Sequence, residues 1–405
     1  MTLRAFNHPF IHHFSMAKDQ LPQSLRSLAV AINAPPMKRA TFFKSLAAGT
    51  IGLPLFLRLM GGEGHAQTKA ATVSGERFDW KMVTTWPPGF PVLGEGCQLL
   101  ADMCRTMSGG RLNITVYGGG ELVPPLQAFD AVRQGAAEVG SGCAYYWAGK
   151  APAAQFFAGF PFGFNAQQMN AWLLSGGGME LWRELYAGYD LVPFAGGNTG
   201  VQMGGWFNRK IDSVADFKGL KMRMPGLGGQ VLERLGGTPV LLPGGELYTG
   251  LERGIIDAAE WVGPYHDYIM GFHEIAKYYY SPGWHEPGTN FEFFVNKDKF
   301  ASLPADLQKI FEVATHYINL YTLSELEAKN AEYLEKIKAT DGVTIATFPR
   351  ELIDAARIAA DEVITEYAAS DPFAGKVYAS IQSFRRTAGP WAKLTESVFY
   401  EKMMS

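Results

Sequence analysis

Three segments of this chain place chemically capable side chains where the backbone is forced to turn. In the first, 218–226, a short strand ends at Arg223 and Pro225-Gly226 turns the chain away. A guanidinium at the carboxyl end of a strand sits where open α/β sheets bind ligands, and it offers a two-pronged grip on a carboxylate. In the second, the stretch 255–259 predicts a buried strand, and Glu260 emerges at its end before Trp261. A carboxylate there pairs with a base, holds a cation or acts as a general base. In the third, Pro282-Gly283 and Pro287-Gly288 bracket Trp284, His285 and Glu286 in a stiff aromatic loop. Taken singly, each residue reads equally well as solvated surface. A common function requires the fold to bring the three segments together.

The motifs of covalent catalysis are missing. There is no Gly-x-Ser-x-Gly, no His-Glu-x-x-His and no phosphate-binding loop. The run Pro225-Gly226-Leu227-Gly228-Gly229 is glycine-rich but lacks the Lys-Ser/Thr of a phosphate loop, and reads as a turn before a helix. His285 beside Glu286 invites a zinc reading, yet it has no second His at helical spacing. The three cysteines, Cys97, Cys104 and Cys143, show no metal-binding spacing. Cys97 and Cys104 fall seven apart on an expected helix, about 10 Å at 1.5 Å per residue, beyond the roughly 7 Å a disulfide spans. They read as small buried apolar residues.

These side chains need a scaffold, and the pattern predicts an α/β one. Strands are expected at 78–84, 112–117 and 137–142, with helices at 93–106 and 125–134 between them. This is the β-α-β-α-β order of a mostly parallel sheet. An aromatic loop, Trp86 to Pro91, closes the first strand. The segment 129–138 also shares a skeleton with 248–257. Each has an aromatic residue, two spacers, an aliphatic, two polar residues, a glycine, two apolar residues and an acid. The glycine suits a left-handed helix cap, and two such units predict two lobes of related construction. Beyond Asn296, Leu303-Pro304-Ala305 opens a long helix of 3.6 period, reaching about Lys338 and long enough to cross both lobes. A strand at 343–348 and a helix at 352–367 follow. The tail from Phe373 is expected to break at Gly389-Pro390 and to end in an amphipathic segment carrying Trp391, Leu394, Val398 and Phe399. That much apolar surface must dock on the protein's own body or on a partner subunit.

Composition narrows the class. The 405 residues are 47% hydrophobic and 19% charged, which permits a large core and excludes wholesale disorder. A net charge of −3 gives no footprint for nucleic acid or an anionic membrane. Phe, Tyr and Trp are abundant enough to line a cleft as well as fill a core. Residues 1–66 read as a leader. Met37 to Lys44 is a short basic segment, 46–57 is an apolar run shorter than the ~20 residues a bilayer requires, and Gly64-His65-Ala66 is a small-x-small cleavage site. Lys38-Arg39 loosely resembles a twin-arginine signal with Lys in the first place, and Met37 is the expected true start.

The segments 218–225 and 248–260, with the helix start at 303–309, together resemble the solute-binding subunit of the tripartite ATP-independent periplasmic (TRAP) transporters. The resemblance runs in order over roughly 76–370. It implies a two-lobed, type II-like periplasmic-binding fold with a lobe-spanning helix and a helical C-terminal tail. The implied lobes are 67–198 with 287–325, and 199–286 with 340–370; 326–339 bridges them and 371–405 is the tail. Arg223 falls on that family's carboxylate-gripping arginine. The segments 202–206, 260–261 and 284–286 resemble a branch that binds 2-oxo acids or lactate with a metal ion. By that likeness Gln202, Glu260, the Trp261 main chain and Glu286 hold the metal, and Gln202, Tyr146 and Asn198 flank the substrate beside Arg223. That branch forms homodimers through an exchanged C-terminal helix. In many relatives a second basic residue lies near Gln202; 200–205 has none, so the metal substitutes for it.

The implied arrangement is electrostatically consistent. Two glutamates facing an anionic substrate repel it by about 4 kcal/mol per pair at 4 Å in an effective dielectric of 20. Arg223 offsets one such charge, and a cation held by the glutamates turns the rest into a bridge. All-oxygen ligands favour Na⁺ or Ca²⁺. The expected function is periplasmic capture of a small monocarboxylate, with lobe closure by a hinge motion and delivery to TRAP membrane permease subunits. The competing readings are a metal-assisted lyase or hydrolase of carboxylic acids, with Glu260 or Glu286 as general base, and an envelope scaffold.

Overall fold

The computed structural model describes residues 75–404; the leader expected over 1–66 lies outside them. No helix among the described residues is long and apolar enough to cross a membrane.

Two sheets organise the chain. The first contains β1 (Phe78–Thr84), β2 (Leu112–Tyr117), β3 (Val139–Gly142), β4 (Leu191–Asn198) and β10 (Asn290–Asn296), in the order β2-β1-β3-β10-β4. Its first three strands are parallel, and β10 is antiparallel to both neighbours. The second contains β5 (Gly205–Phe207), β6 (Lys221–Arg223), β7 (Thr238–Val240), β8 (Ala258–Ala259), β9 (Tyr278–Ser281) and β11 (Thr344–Thr347), in the order β11-β9-β5-β8-β6-β7. The backbone therefore crosses between sheets after β4, after β9 and after β10. The first two crossings carry the site.

The sequence repeat is a structural repeat. Helices Ala128–Arg133 and Leu247–Glu252 each precede a glycine of positive φ, Gly135 at 77° and Gly254 at 68°. Past each glycine two amides return to one helix carbonyl: Ala136 and Ala137 to Ala131, Ile255 and Ile256 to Gly250. Each acid then accepts from the amide of a neighbouring strand, Glu138 from Lys81 at 2.8 Å and Asp257 from Lys221 at 2.9 Å. Those returning amides also correct two expected strands. The strand read from 137 starts at Val139, and the one read from 255 is only Ala258–Ala259, with Ile255 exposed. The apolar pair after each glycine is still finishing the helix.

The long helix spans Ala305–Lys338, 34 residues, or roughly 50 Å at 1.5 Å per residue. Its first half packs on the first sheet through Leu307, Phe311 and Ala314, with Phe311 meeting Trp80 edge-on. Further along, Asn330 accepts from the Tyr265 amide at 3.0 Å, and Tyr333 packs on Tyr265 and Tyr268 of the second-sheet segment. The aromatic loop after β1 also reaches across. Phe90 meets Trp261 edge-on, and neutral His266 donates through Nε2 to the Pro91 carbonyl at 2.9 Å. Burial holds that imidazole down at about 3.

The tail departs from expectation at Gly389-Pro390. Helix Pro372–Leu394 runs through Pro390, and the chain bends only at Thr395, before helix Glu396–Lys402. Pro390 removes one i→i−4 hydrogen bond from the helix, at a stretch where Arg386 and Pro390 are both exposed. The helix is anchored early by Ala374, Val377 and Ile381 and becomes exposed towards its end.

Candidate functional site

Arg223 ends β6 and Glu260 follows β8, and the parallel register sets Arg223 opposite Ala259. This places the two side chains together in the interior, 1% and 0% exposed. Arg223 Nη1 pairs with Glu260 Oε1 and donates to the Glu260 carbonyl at 3.0 Å. Nη2 donates to the Tyr146 hydroxyl at 3.2 Å, and the guanidinium lies 5.2 Å from the centre of the Trp261 ring. The second oxygen of Glu260 faces His285 Nε2 at 3.3 Å.

The other half of the site is built by the two crossing segments running side by side. Gly283 donates to the Gln202 carbonyl at 2.8 Å, Gln202 to that of Glu286 at 3.2 Å, and Thr199 to that of Thr289 at 3.0 Å. Gly283 is required here: a Cβ would stand 2.4 Å from the Gln202 carbonyl oxygen. Asn198 stitches the same seam, accepting from the Gly200 amide at 2.9 Å and donating to the Gly288 carbonyl at 3.3 Å. Glu286 Oε2 accepts from Gln202 Nε2 at 2.7 Å, from the Thr289 hydroxyl and from the Tyr145 hydroxyl at 3.5 Å. Burial, with the Glu260 charge adding to it, raises the Glu286 carboxyl to about 7.

Two oxygens in this interior lack a hydrogen-bond partner, Gln202 Oε1 and Glu286 Oε1. A buried acceptor left unpaired costs about 1–3 kcal/mol, so an orphaned pair in one cluster points to a cationic occupant. Glu260, His285 and Glu286 each bring a ligand atom to within 4.8 Å of the others. Carboxylate and amide oxygens dominate the set, and the one imidazole nitrogen facing it is turned to Glu260. That donor chemistry fits a hard cation.

The sequence matches, over residues 82–371, the profile of the bacterial extracellular solute-binding proteins of family 7, the DctP family. The chain belongs to that family. A monocarboxylate 2-oxoacid-binding periplasmic protein of Nostoc sp. strain PCC 7120 is 43% identical over 326 residues, 80% of this chain and 89% of that protein. A TRAP periplasmic solute-binding protein of Pseudoalteromonas atlantica T6c, solved with bound sodium and pyruvate, is 42% identical, with a TM-score of 0.78 over 81% of this chain and 99% of that one. A TRAP transporter solute-binding protein of Bordetella bronchiseptica RB50, a mixed-occupancy dimer with copurified calcium and picolinate, is 37% identical, with a TM-score of 0.80 over 81% and 98%. This solute-binding protein is accordingly a receptor rather than an enzyme, which sets aside the lyase or hydrolase reading.

Of the residues singled out from the sequence of this receptor, Arg223, Gln202, Tyr146, Glu260, Trp261 and Glu286 converge on one interior. Asn198 lies at its edge with both side-chain groups engaged in the seam. Tyr145 and Thr289 were not foreseen. Thr289 reaches Glu286 from three residues on, a contact created by the turn of the loop, and Tyr145 differs from Tyr146 only in which way a one-turn helix points it.

Proposed function

We propose that this protein captures a small 2-oxo monocarboxylate such as pyruvate, together with Na⁺ or Ca²⁺, and delivers it to TRAP permease subunits. The observation that carries this reading is the interior cluster in which Arg223 lies beside Glu260, Glu286 and Gln202, with two oxygens unpaired. A bound cation supplies the positive charge that lets two buried glutamates lie beside a bound acid. Arg223 grips the substrate carboxylate, with Tyr146 and Asn198 flanking it. Gln202, Glu260, the Trp261 main chain and Glu286 hold the ion. The cation-bound relatives with pyruvate or picolinate support the pairing of ion and acid.

The two sheets are the cores of two lobes, 67–198 with 287–325 and 199–286 with 340–370, bridged by 326–339 of the long helix. The leader 1–66 directs export to the periplasm, and the tail from 371 supports a homodimer. Titration calorimetry with pyruvate tests the function. Binding in the presence of Ca²⁺ or Na⁺, and at least about tenfold weaker binding after chelation and desalting, is expected. Pyruvate affinity indifferent to both ions overturns the cation's role, and no heat from any small 2-oxo acid overturns the substrate class.

A further inference from the structure

Behind the site lies a further buried carboxylate that the proposed binding does not touch. Glu292 sits in the middle of β10, fully buried. Its Oε1 accepts from the Trp147 indole Nε1 at 2.5 Å and its Oε2 from the Tyr186 hydroxyl at 2.8 Å. Across the sheet its pairing partner is Gly142. The Trp147 ring lies so close over that glycine that a Cβ there would stand 3.1 Å from Cζ2. Phe129 and Phe294 close on the same ring at 5.3 and 5.7 Å.

Trp147 is the last residue of a single 3₁₀ turn, Ala144–Trp147. The two residues before it are the tyrosines of the site: Tyr145 donates to Glu286, and Tyr146 accepts from Arg223. A turn this short has few hydrogen bonds of its own and poor geometry in them, so its orientation is set by whichever side chain is clamped. The indole is held by Glu292 and by the Phe129 and Phe294 rings.

We infer that Glu292 is a positioning residue for the binding site: by fixing Trp147 from behind, it aims Tyr145 and Tyr146 at Glu286 and Arg223. This rests on the proposed binding of a 2-oxo acid for its functional readout, and on the position of the turn for a readout independent of it. The two bonds of Glu292 separate positioning from simple stability. The Trp147 bond leads to the binding site; the Tyr186 bond leads away from it.

The test is pyruvate titration in Ca²⁺ for the mature protein carrying E292L, E292Q, W147F or Y186F, with melting curves to set a temperature at which each is folded. E292L and W147F are expected to weaken pyruvate binding by about tenfold or more, the scale of losing oriented hydrogen bonds. E292Q, whose amide oxygen still accepts from the indole, is expected to stay within about threefold. Y186F is expected to melt earlier yet bind within about threefold of the parent. Equal binding by W147F and the parent, or a loss in Y186F as large as in W147F, overturns the inference. Ligand-free crystal structures of W147F and E292Q decide the matter even if the parent binds no pyruvate. The Tyr146 hydroxyl leaves hydrogen-bond reach of Arg223 in W147F and keeps it in E292Q. An unmoved Tyr146 in W147F overturns the positioning role.

Discussion

Arg223 and Glu260 are an ion pair almost wholly withdrawn from water, and such a pair stabilises little against its own desolvation while being costly to break. Arg223→Ala strands the Glu260 charge, so two losses are expected together. Unfolding of the ligand-free protein should become easier by ~3–5 kcal/mol in urea titration, and ligand binding should weaken by at least ~1.5 kcal/mol in calorimetry. Arg223→Lys should not restore binding, because an ammonium lacks the fork that engages Glu260 and Tyr146 at once. The stability of the protein should also depend on pH through Glu292. Burial raises its carboxyl from 4.5 to about 8. A raised folded value means the protonated form contributes stability that is complete below the unfolded value and is lost as pH climbs to the folded one. E292Q is neutral at every pH. Its stability relative to the parent should therefore improve as pH rises from about 5 to about 8. Urea unfolding at the two ends and the middle of that window measures the slope, and a parallel pair of curves removes Glu292 as the titrating group.

The repeated helix-glycine-strand unit shows how one local solution serves both sheets. Gly135 and Gly254 each occupy the left-handed region with no atom near enough to meet a Cβ. Substituting alanine at either position therefore probes backbone conformation alone. Each should cost about 1–2 kcal/mol, seen as matching falls in melting temperature for G135A and G254A. The second unit ends three residues before Glu260, so G254A should also report whether the helix cap sets that carboxylate's position. The tail illustrates the opposite case. A Gly-Pro pair that stops most helices is carried here within an exposed stretch of helix.

Over the whole molecule, the site exists because the chain leaves the first sheet after β4 and returns to it at β10, and the two crossings zip together along 198–204 and 282–289. The tail bears on assembly. Trp391, Leu394, Tyr400, Met403 and Met404 are each at least 65% exposed at the end of the chain. These are the residues that the proposed homodimer would cover. Trp391→Asp combined with Leu394→Asp should convert the protein to a monomer in sedimentation velocity while leaving pyruvate binding intact. A parent that sediments as a monomer at micromolar concentration would exclude the dimer.

Much of this was written along the chain. The period of 3.6 after Pro304, the strand-ending Pro225-Gly226 and the duplicated glycine caps are local signals, and local signals survive one-dimensional reading because they depend on neighbours a few residues away. Arg223, Glu260 and Glu286 could be picked out for the same reason, each standing beside a backbone break. What one dimension does not contain is who faces whom. That Arg223 is spent partly on Glu260, that Asn198 is sewn into a seam, that Thr289 and Tyr145 reach Glu286, and that Glu292 holds Trp147 from behind are all decided by contacts between segments far apart in sequence. A carboxylate's partner is chosen by sheet register and by the crossing of chains, and those are settled only when the whole core packs.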